Sequence, residues 1–347
     1  MVFSREFRIA GRGIGGEHPA FIIAEMSANH GQDLGKAKEL VYAAKEFGAD
    51  AIKLQTYRAD TLTMQSDMPH FFISEGPWKG QYLYDLYEHA HMPWDFHAEL
   101  FELAGKLDII CFSSPFDATA VDLLEQFDPP AYKIASPELI DHDLIRYVAA
   151  TGKPVIMSTG GATLTEIAEA VDVARNAGIK DLCLLKCTST YPAPADTINL
   201  RTMQHLTEAF KCPVGLSDHT LGNAVPIASV TMGAKVIEKH FVMSKDEHTA
   251  DSFFSMTPNE LGDLVTGVRQ VEQAVGNVCY PDTPSPARRC LYVTQDVQPG
   301  ELLTCHNVAN LRPGGGSMRP KDAVHALGQK AKHFLMRGHQ LSFSDFD

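Results

Sequence analysis

Eight short runs of apolar and β-branched residues recur through the first 240 residues, and they constrain the fold more than any other feature. The runs are FIIAE (21–25), AIKLQ (51–55), IICFSS (109–114), AYKIAS (131–136), PVIMST (154–159), LCLLKC (182–187), PVGLSD (213–218) and KVIEKH (235–240). Segments with helical periodicity separate most of them, for example 33–48 and 163–178, and both of these end at a glycine suited to a helix C-terminus. Eight strands alternating with helices predict a (β/α)8 TIM barrel, with a doubly wound sheet as the alternative.

Polar residues at the ends of these runs favour the barrel. They include Glu25, Lys53, Gln55, Ser114, Lys133, Ser136, Ser158, Lys186, Ser217, His219, Glu238 and His240. In a barrel the carboxyl ends of all strands converge on one face, where active sites of this fold lie, whereas a doubly wound sheet concentrates function at one crevice. We therefore expect one active site at the mouth of a barrel.

The chain divides at a proline-containing segment. Residues 1–278 form the predicted barrel domain, 279–289 a linker with prolines at 281, 284 and 286, and 290–347 a small β-rich domain with turn signals and no long helical pattern. The longest interruption of the barrel pattern, 58–93, follows the second strand. A loop of this length in a compact domain is usually functional, so we interpret it as a lid or specificity loop.

Composition excludes several classes of function. The net charge of −13 without a basic cluster argues against a nucleic-acid or membrane surface, so an anionic substrate would need a local basic pocket. We find neither a secretion signal nor an apolar run long enough to span a membrane, which predicts a cytoplasmic protein. The seven cysteines are scattered without a CxxC pair and are expected to be reduced.

Two histidines indicate a metal site. His219 and His240 follow the seventh and eighth runs, which are neighbours in a barrel, and two imidazoles with open positions suit a divalent cation that also holds water or substrate. For either histidine alone, a hydrogen bond within the barrel mouth is an equally good interpretation.

Three lysines and four serines indicate an anionic ligand. Lys53, Lys133 and Lys186 lie in otherwise apolar runs, and buried lysines are seldom left unpaired. The hydroxyls of Ser114, Ser136, Ser158 and Ser217 are natural donors to phosphate oxygens, although any single serine is more simply a helix cap. As a group, these residues predict a phosphate- or carboxylate-binding pocket.

Two other chemistries have partial support in the sequence. Lys133 or Lys186 could form a Schiff base with a carbonyl substrate, but the histidines would then have no role. The GRGIGG run (11–16) matches a dinucleotide fingerprint formally, yet it precedes the first strand, so we interpret it as a turn.

The strand ends also resemble those of a known family. IAEMSANHG (23–31), FSSPFD (112–117), YKIASPEL (132–139), KCTSTYPAP (186–194), GLSDHT (215–220) and VIEKHF (236–241) resemble the sialic acid synthase family in order and spacing, and 291–316 resembles the antifreeze-like (SAF) domain that follows its barrel. The wording KLQTY (53–57), the lysine before CTS and the Asp251-Ser252 pair are similar to the pseudaminic acid synthase branch.

The resemblance implies a reaction and a set of site residues. Phosphoenolpyruvate would condense with an open-chain acetamido sugar and water. The resemblance to the pseudaminic acid synthase branch implies that the sugar is 2,4-diacetamido-2,4,6-trideoxy-altrose and that the products are pseudaminic acid and phosphate. His219 and His240 would bind Mn²⁺, with Mg²⁺ or Co²⁺ as alternatives, and Glu25 and Glu138 would be acid/base or orienting carboxylates. Phosphoenolpyruvate would contact Lys53, Ser114, Lys133, Ser136, Ser158, Ser189 and Ser217, and the sugar would contact Gln55, Tyr191, Asp251 and Arg312.

The resemblance further implies a homodimer with a swapped C-terminal domain, in which the tail of one subunit delivers Arg312 to the site of its partner. N-acetylneuraminate or legionaminate synthesis remains the alternative within the family. Outside it, a Schiff-base aldolase and a carbohydrate-binding protein remain open.

Overall fold

The chain forms two compact units, Met1–Gly276 and Asn277–Asp347. The computed structural model describes residues 2–282, 285 and 287–347. The second unit begins just before the predicted linker 279–289, and the linker prolines 284 and 286 lie outside the described residues.

The first unit is a closed barrel of eight parallel strands. In chain order these are β3 (Phe21–Glu25), β4 (Ala51–Thr56), β5 (Ile110–Pro115), β6 (Tyr132–Ile134), β7 (Val155–Ser158), β8 (Leu182–Cys187), β9 (Val214–Asp218) and β10 (Val236–His240). Each pairs in parallel with the next, and β10 pairs with β3 to close the sheet. The predicted TIM barrel is confirmed, and every predicted strand lies within one or two residues of an observed one.

Helices follow the strands. They are α1 (Leu34–Glu46), α2 (Ala59–Leu62), α3 (Leu83–Ala90), α4 (Phe96–Leu107), α5 (Ala118–Glu125), α6 (His142–Ala149), α7 (Leu164–Asn176), α8 (Thr202–Phe210), α9 (Ala224–Thr231) and α10 (Pro258–Val275). The Asp33 side chain caps α1, and α7 begins with a capping box between Thr163 and Glu166. These caps explain why the predicted helices at 33–48 and 163–178 form where they do.

Strand alternation separates two cores. Ala51, Phe112 and Ile156 belong to an inner cluster, whereas Ile52, Leu54 and their equivalents belong to the cluster between the strands and helices. Because side chains alternate along a strand, residues that share parity with the inner cluster point into the barrel.

A hairpin precedes the barrel and corrects one expectation. The sequence predicts a turn at residues 11–16, but Arg12–Gly15 form strand β2, which pairs with β1 (Glu6–Ile9). The side chains of Ile9 and Ile14 are fully buried and join the inner cluster beside the first residues of several barrel strands. The hairpin therefore covers the end of the barrel where the strands begin.

The second unit has its own small core. Its strands β11 (Cys290–Val293) and β12 (Val308–Leu311) are antiparallel, and its helix α11 (Ala323–Ala326) has four residues. Leu291, Val297, Leu303 and Leu335 are among the apolar side chains that pack together in it. No helix in the described part of the chain has the length and apolar character needed to cross a lipid bilayer.

Candidate active site

A cavity of about 430 Å³ lies at the carboxyl ends of the barrel strands and collects most of the predicted site residues. Its lining includes Glu25, Lys53, Gln55, Ser114, Lys133, Ser136, Ser158, Tyr191, Ser217, His219, His240 and Asp251. Residues from all eight strand ends or the loops directly after them contribute, as expected for this fold.

Two lysines and two carboxylates form the floor of the cavity. The Lys53 Nζ lies 2.5 Å from Glu25 Oε2 and 3.8 Å from Glu238 Oε2, and the Lys133 Nζ lies 3.9 Å from Glu238 Oε1. All four side chains are at most 7% exposed. Each ammonium group is thus neutralised by carboxylates, and the whole set is withdrawn from water.

Burial changes the protonation of these groups. It raises the pKa of Glu25 to about 7 and lowers the pKa of Lys133. For Lys53, burial opposes the charge, but the carboxylates of Glu238 and Glu25 outweigh it and raise the pKa. For Glu238 burial is likewise outweighed, here by Lys133 and Lys53, so its pKa falls. Glu25 is therefore the carboxyl in this floor that can exchange a proton near neutral pH.

Serine hydroxyls surround the two lysines. Lys53 donates to Ser114 Oγ over 3.2 Å, and Ser217 donates to Glu238 over 3.2 Å. The Ser158 hydroxyl is buried and has no hydrogen-bond partner among the described residues. Such a hydroxyl is free to bind an oxygen of a ligand.

A glycine brings the backbone close to further hydroxyls. The Gly160 N–H donates to Ser136 Oγ over 3.0 Å. A Cβ at this position would lie 2.8 Å from Ser136 Oγ and 2.3 Å from Ser189 Oγ, so any larger residue would have to displace these two hydroxyls.

The two histidines are neighbours, with ring centroids 5.2 Å apart. The Nδ1 of His219 lies 2.9 Å from the Thr188 carbonyl, so Nε2 is the ring nitrogen left for an ion when Nδ1–H donates there. Burial lowers the pKa of His219, but contact with the Cys187 thiol outweighs it and raises the pKa, so a bound ion would compete with a proton for this ring. The Nδ1 of His240 is buried, has no hydrogen-bond partner among the residues that the structure describes, and lies 3.8 Å from Asp251 Oδ2. Burial, followed by the nearby His219, lowers the pKa of His240 well below its ordinary value, so its imidazole is neutral.

This pair fits a divalent cation that keeps open positions. Neutral imidazole is a good ligand for such ions, and an unpartnered buried ring nitrogen is the atom that a ligand would satisfy. Within the described residues, no group of three or more histidine, cysteine, aspartate or glutamate side chains could hold a metal. Substrate or water would therefore complete the coordination.

The predicted sugar-contacting residues flank the histidines. Gln55 donates to Glu25 Oε1 over 2.9 Å and to Ser27 Oγ over 3.1 Å, and Ser27 in turn donates to Asp251. The Tyr191 ring lies 4.3 Å from the His219 ring.

Three predicted residues do not line the cavity, and a further one belongs to the second unit. Lys186 was expected to point inward, but its Nζ donates to Cys187 O and Thr188 Oγ1 outside the cavity, because Lys186 shares parity with the outward-facing Leu184. Ser189 and Glu138 do not line the cavity, although Ser189 lies beside Gly160. Arg312 is an exposed residue of the second unit.

Several lining residues are not among those predicted to contact a substrate or metal, among them Ser27, Cys187 and Trp78, and Glu238 was expected only as a strand-end neighbour of the histidines. Glu238 stands two residues before His240, so strand parity alone places both on the inner face. Contact with His219 outweighs the burial of Cys187 and lowers the pKa of this thiol to about 7. No pattern in the sequence identifies Trp78, because it reaches the cavity from the long loop.

Known proteins are similar to this chain over most of its length. A model of the NeuB family matches residues 40–280. The chain is 45% identical to a pseudaminic acid synthase of Helicobacter pylori, over 95% of this chain and 98% of that protein. It is 42% identical to one of Campylobacter jejuni, over 94% and 96%. Among solved structures, an N-acetylneuraminic acid synthetase of Leptospira borgpetersenii is similar with a TM-score of 0.72 and 30% identity, over 82% of this chain and 94% of that one.

Proposed function

This chain belongs to the NeuB family, and from that premise we propose that it condenses phosphoenolpyruvate with 2,4-diacetamido-2,4,6-trideoxy-altrose and water, forming pseudaminic acid and phosphate. The 45% and 42% identity to pseudaminic acid synthases, over nearly the full length of each, supports this product over other nonulosonic acids.

One observation carries the proposal: two buried ammonium groups, two imidazoles and several free or weakly engaged hydroxyls share a single cavity of about 430 Å³. Lys53 and Lys133 would hold the phosphate and carboxylate of phosphoenolpyruvate, with donors from Ser114, Ser136, Ser158 and Ser217. Fixed cations at the site of charge development are usually the largest catalytic contribution.

His219 and His240 would hold the divalent cation, for which manganese is the family expectation. When bound, this ion supplies Lewis-acid polarisation of the sugar aldehyde. Gln55, Tyr191 and Asp251 surround the same place and would orient the open-chain sugar.

The bond changes follow from the substrates. C3 of phosphoenolpyruvate attacks the aldehyde carbon, and the aldehyde oxygen takes up a proton. Water then adds to the electron-deficient C2 and loses one proton. As the C2–O bond to phosphate breaks, the new C2 hydroxyl loses its proton and becomes the ketone, and the leaving phosphate takes up a proton. Glu25, whose pKa burial raises to about 7, is the carboxyl in the floor that can exchange a proton at these oxygens. Because Lys53 now contacts Glu25 at 2.5 Å, an entering anion would compete for Lys53 and favour the protonated form of Glu25.

A homodimer completes the proposal. Arg312 is exposed, and we place it at the site of the partner subunit, where its planar fork would hold a sugar oxygen through two donors. The antifreeze-like nature of residues 290–347 and a cytoplasmic location stay predictions.

The experiment is phosphate release from phosphoenolpyruvate with a panel of sugars in the presence of Mn²⁺. The 6-deoxy-diacetamido-altrose should be used at least tenfold better, in kcat/KM, than N-acetylmannosamine or the diacetamido precursor of legionaminic acid. Preference for either of those would contradict the assignment. Borohydride provides the control for the aldolase alternative: inactivation with covalent capture of substrate on Lys133 would support a Schiff base instead.

A further inference from the structure

Ser27 has a backbone conformation that a residue with a side chain rarely adopts. It lies in the loop directly after β3, and its φ of +49° falls in the left-handed region that favours glycine. The residue is buried and lines the substrate cavity. Strain of this kind persists where the surroundings require the side chain, and it concentrates at functional sites. Glycine would adopt this conformation without strain, but it would lack the hydroxyl.

The hydroxyl of Ser27 joins two side chains that the proposed function assigns to the sugar. Ser27 Oγ–H donates to Asp251 Oδ2, and Ser27 Oγ accepts from Gln55 Nε2 over 3.1 Å. The same Gln55 nitrogen donates its other hydrogen to Glu25 Oε1 over 2.9 Å. One line of hydrogen bonds therefore runs from the carboxyl in the cavity floor to Asp251, and Ser27 lies within it.

The chemistry of these groups fixes the direction of each hydrogen bond. A serine hydroxyl has one hydrogen, and Asp251 takes it because an ionised carboxylate only accepts. Ser27 Oγ then offers a lone pair to Gln55, so Gln55 presents its –NH₂ group there and not its carbonyl. Ser27 and Glu25 engage both hydrogens of that group, which leaves the Gln55 carbonyl oxygen to a ligand in the cavity. Gln55 therefore offers the sugar an acceptor, which suits an acetamido N–H or a hydroxyl.

We propose that Ser27 is a positioning residue, whose hydroxyl holds the Gln55 amide in the orientation that offers a hydrogen-bond acceptor to the sugar. This inference rests on the proposed function, since it concerns how the same site meets its sugar. Without the hydroxyl, one Gln55 N–H loses its partner and the amide can turn over, which places a donor where the sugar needs an acceptor. Phosphoenolpyruvate, held by Lys53 and Lys133, does not depend on this orientation.

Two substitutions remove the hydroxyl and differ in what they do to the backbone. Ser27→Ala keeps the strained conformation, whereas Ser27→Gly relieves it. Both should raise the KM for 2,4-diacetamido-2,4,6-trideoxy-altrose roughly tenfold and leave the KM for phosphoenolpyruvate unchanged. In urea unfolding, Ser27→Gly should have a higher midpoint than Ser27→Ala, so a kinetic defect of equal size in both does not come from instability.

Lys211 provides a matched control for the backbone. Its φ is +56° at the exposed end of α8, and it does not line the cavity. Lys211→Gly should raise the unfolding midpoint and change neither KM.

A double variant tests whether Ser27 acts through Gln55. Gln55→Ala alone should raise the KM for the sugar, and adding Ser27→Ala should raise it little further, because no amide is left for the hydroxyl to orient. Additive losses, an unchanged KM for the sugar in Ser27→Gly, or an equal rise in both KM values would overturn the inference while leaving the proposed function intact. If the wild-type protein releases no phosphate with any acetamido sugar, the proposed function is refuted and, with it, the inference.

Discussion

A buried ion pair is formed by the residues that directly precede the two histidines in the chain, and breaking it should lower the free energy of unfolding markedly. The Lys239 Nζ lies 2.6 Å from Asp218 Oδ2, the two residues pair across β9 and β10, and their side chains are 2% and 0% exposed. Asp218 also accepts from Thr220 N and Thr220 Oγ1 at 3.1 and 3.0 Å. Lys239→Met keeps the volume of the stem but leaves a buried carboxylate with neutral donors only. Breaking such a pair costs about 3–5 kcal/mol.

Urea unfolding followed by circular dichroism measures this cost. The double variant Lys239→Met/Asp218→Asn should recover most of the loss, because removing both charges avoids the unpaired one. Lys106→Met, in an ion pair whose side chains are both about two-thirds exposed, should leave the unfolding midpoint unchanged. A loss below about 1 kcal/mol for Lys239→Met, or a double variant no better than the single one, would refute the reasoning.

Three further predictions concern the metal, a buried acid and the dimer. His219→Ala and His240→Ala should each weaken Mn²⁺ binding at least tenfold in calorimetry with the unfolding midpoint retained, and unchanged binding would refute the metal assignment. Burial raises the pKa of Glu138 from 4.5 to about 7, so the stability it contributes is full below pH 4.5 and lost as the pH rises through 7. Glu138→Gln should therefore stabilise the protein by at most about 3 kcal/mol at pH 8 and far less at pH 5, and an equal gain at both pH values would contradict this. If Arg312 acts in the partner's site, mixing Arg312→Ala with Lys53→Ala subunits should restore partial activity, because one site of each mixed dimer is intact; no recovery would show that it acts within its own subunit.

Much of this architecture follows from the sequence for a simple reason. Alternation of apolar runs with capped helices fixes a parallel sheet, and a polar residue at each strand end fixes the face of the site. The inward position of Lys53 and His240 could be predicted because each shares strand parity with inward-facing apolar residues.

The remaining features depend on contacts that no local pattern encodes. Lys186 lies one position out of the inward register, and an apolar strand buried on both faces carries no alternation that reveals this. Ile9 and Ile14 form a hairpin because the open end of the barrel buries them, although their segment is glycine-rich. Periodicity predicts that Leu86 lies on the apolar face of its helix. It does not predict that this face covers a cavity instead of a core.

The most direct test of the central claim follows the bridging oxygen of phosphoenolpyruvate. With ¹⁸O placed between C2 and phosphorus, the protein should convert the diacetamido sugar and phosphoenolpyruvate one to one, and all of the label should leave in inorganic phosphate, because water adds to C2 before the C2–O bond breaks. Mass spectrometry of the phosphate and of the nonulosonic acid measures the ¹⁸O content of each product. Label retained at C2 of the product would mean cleavage between oxygen and phosphorus, and it would contradict the account.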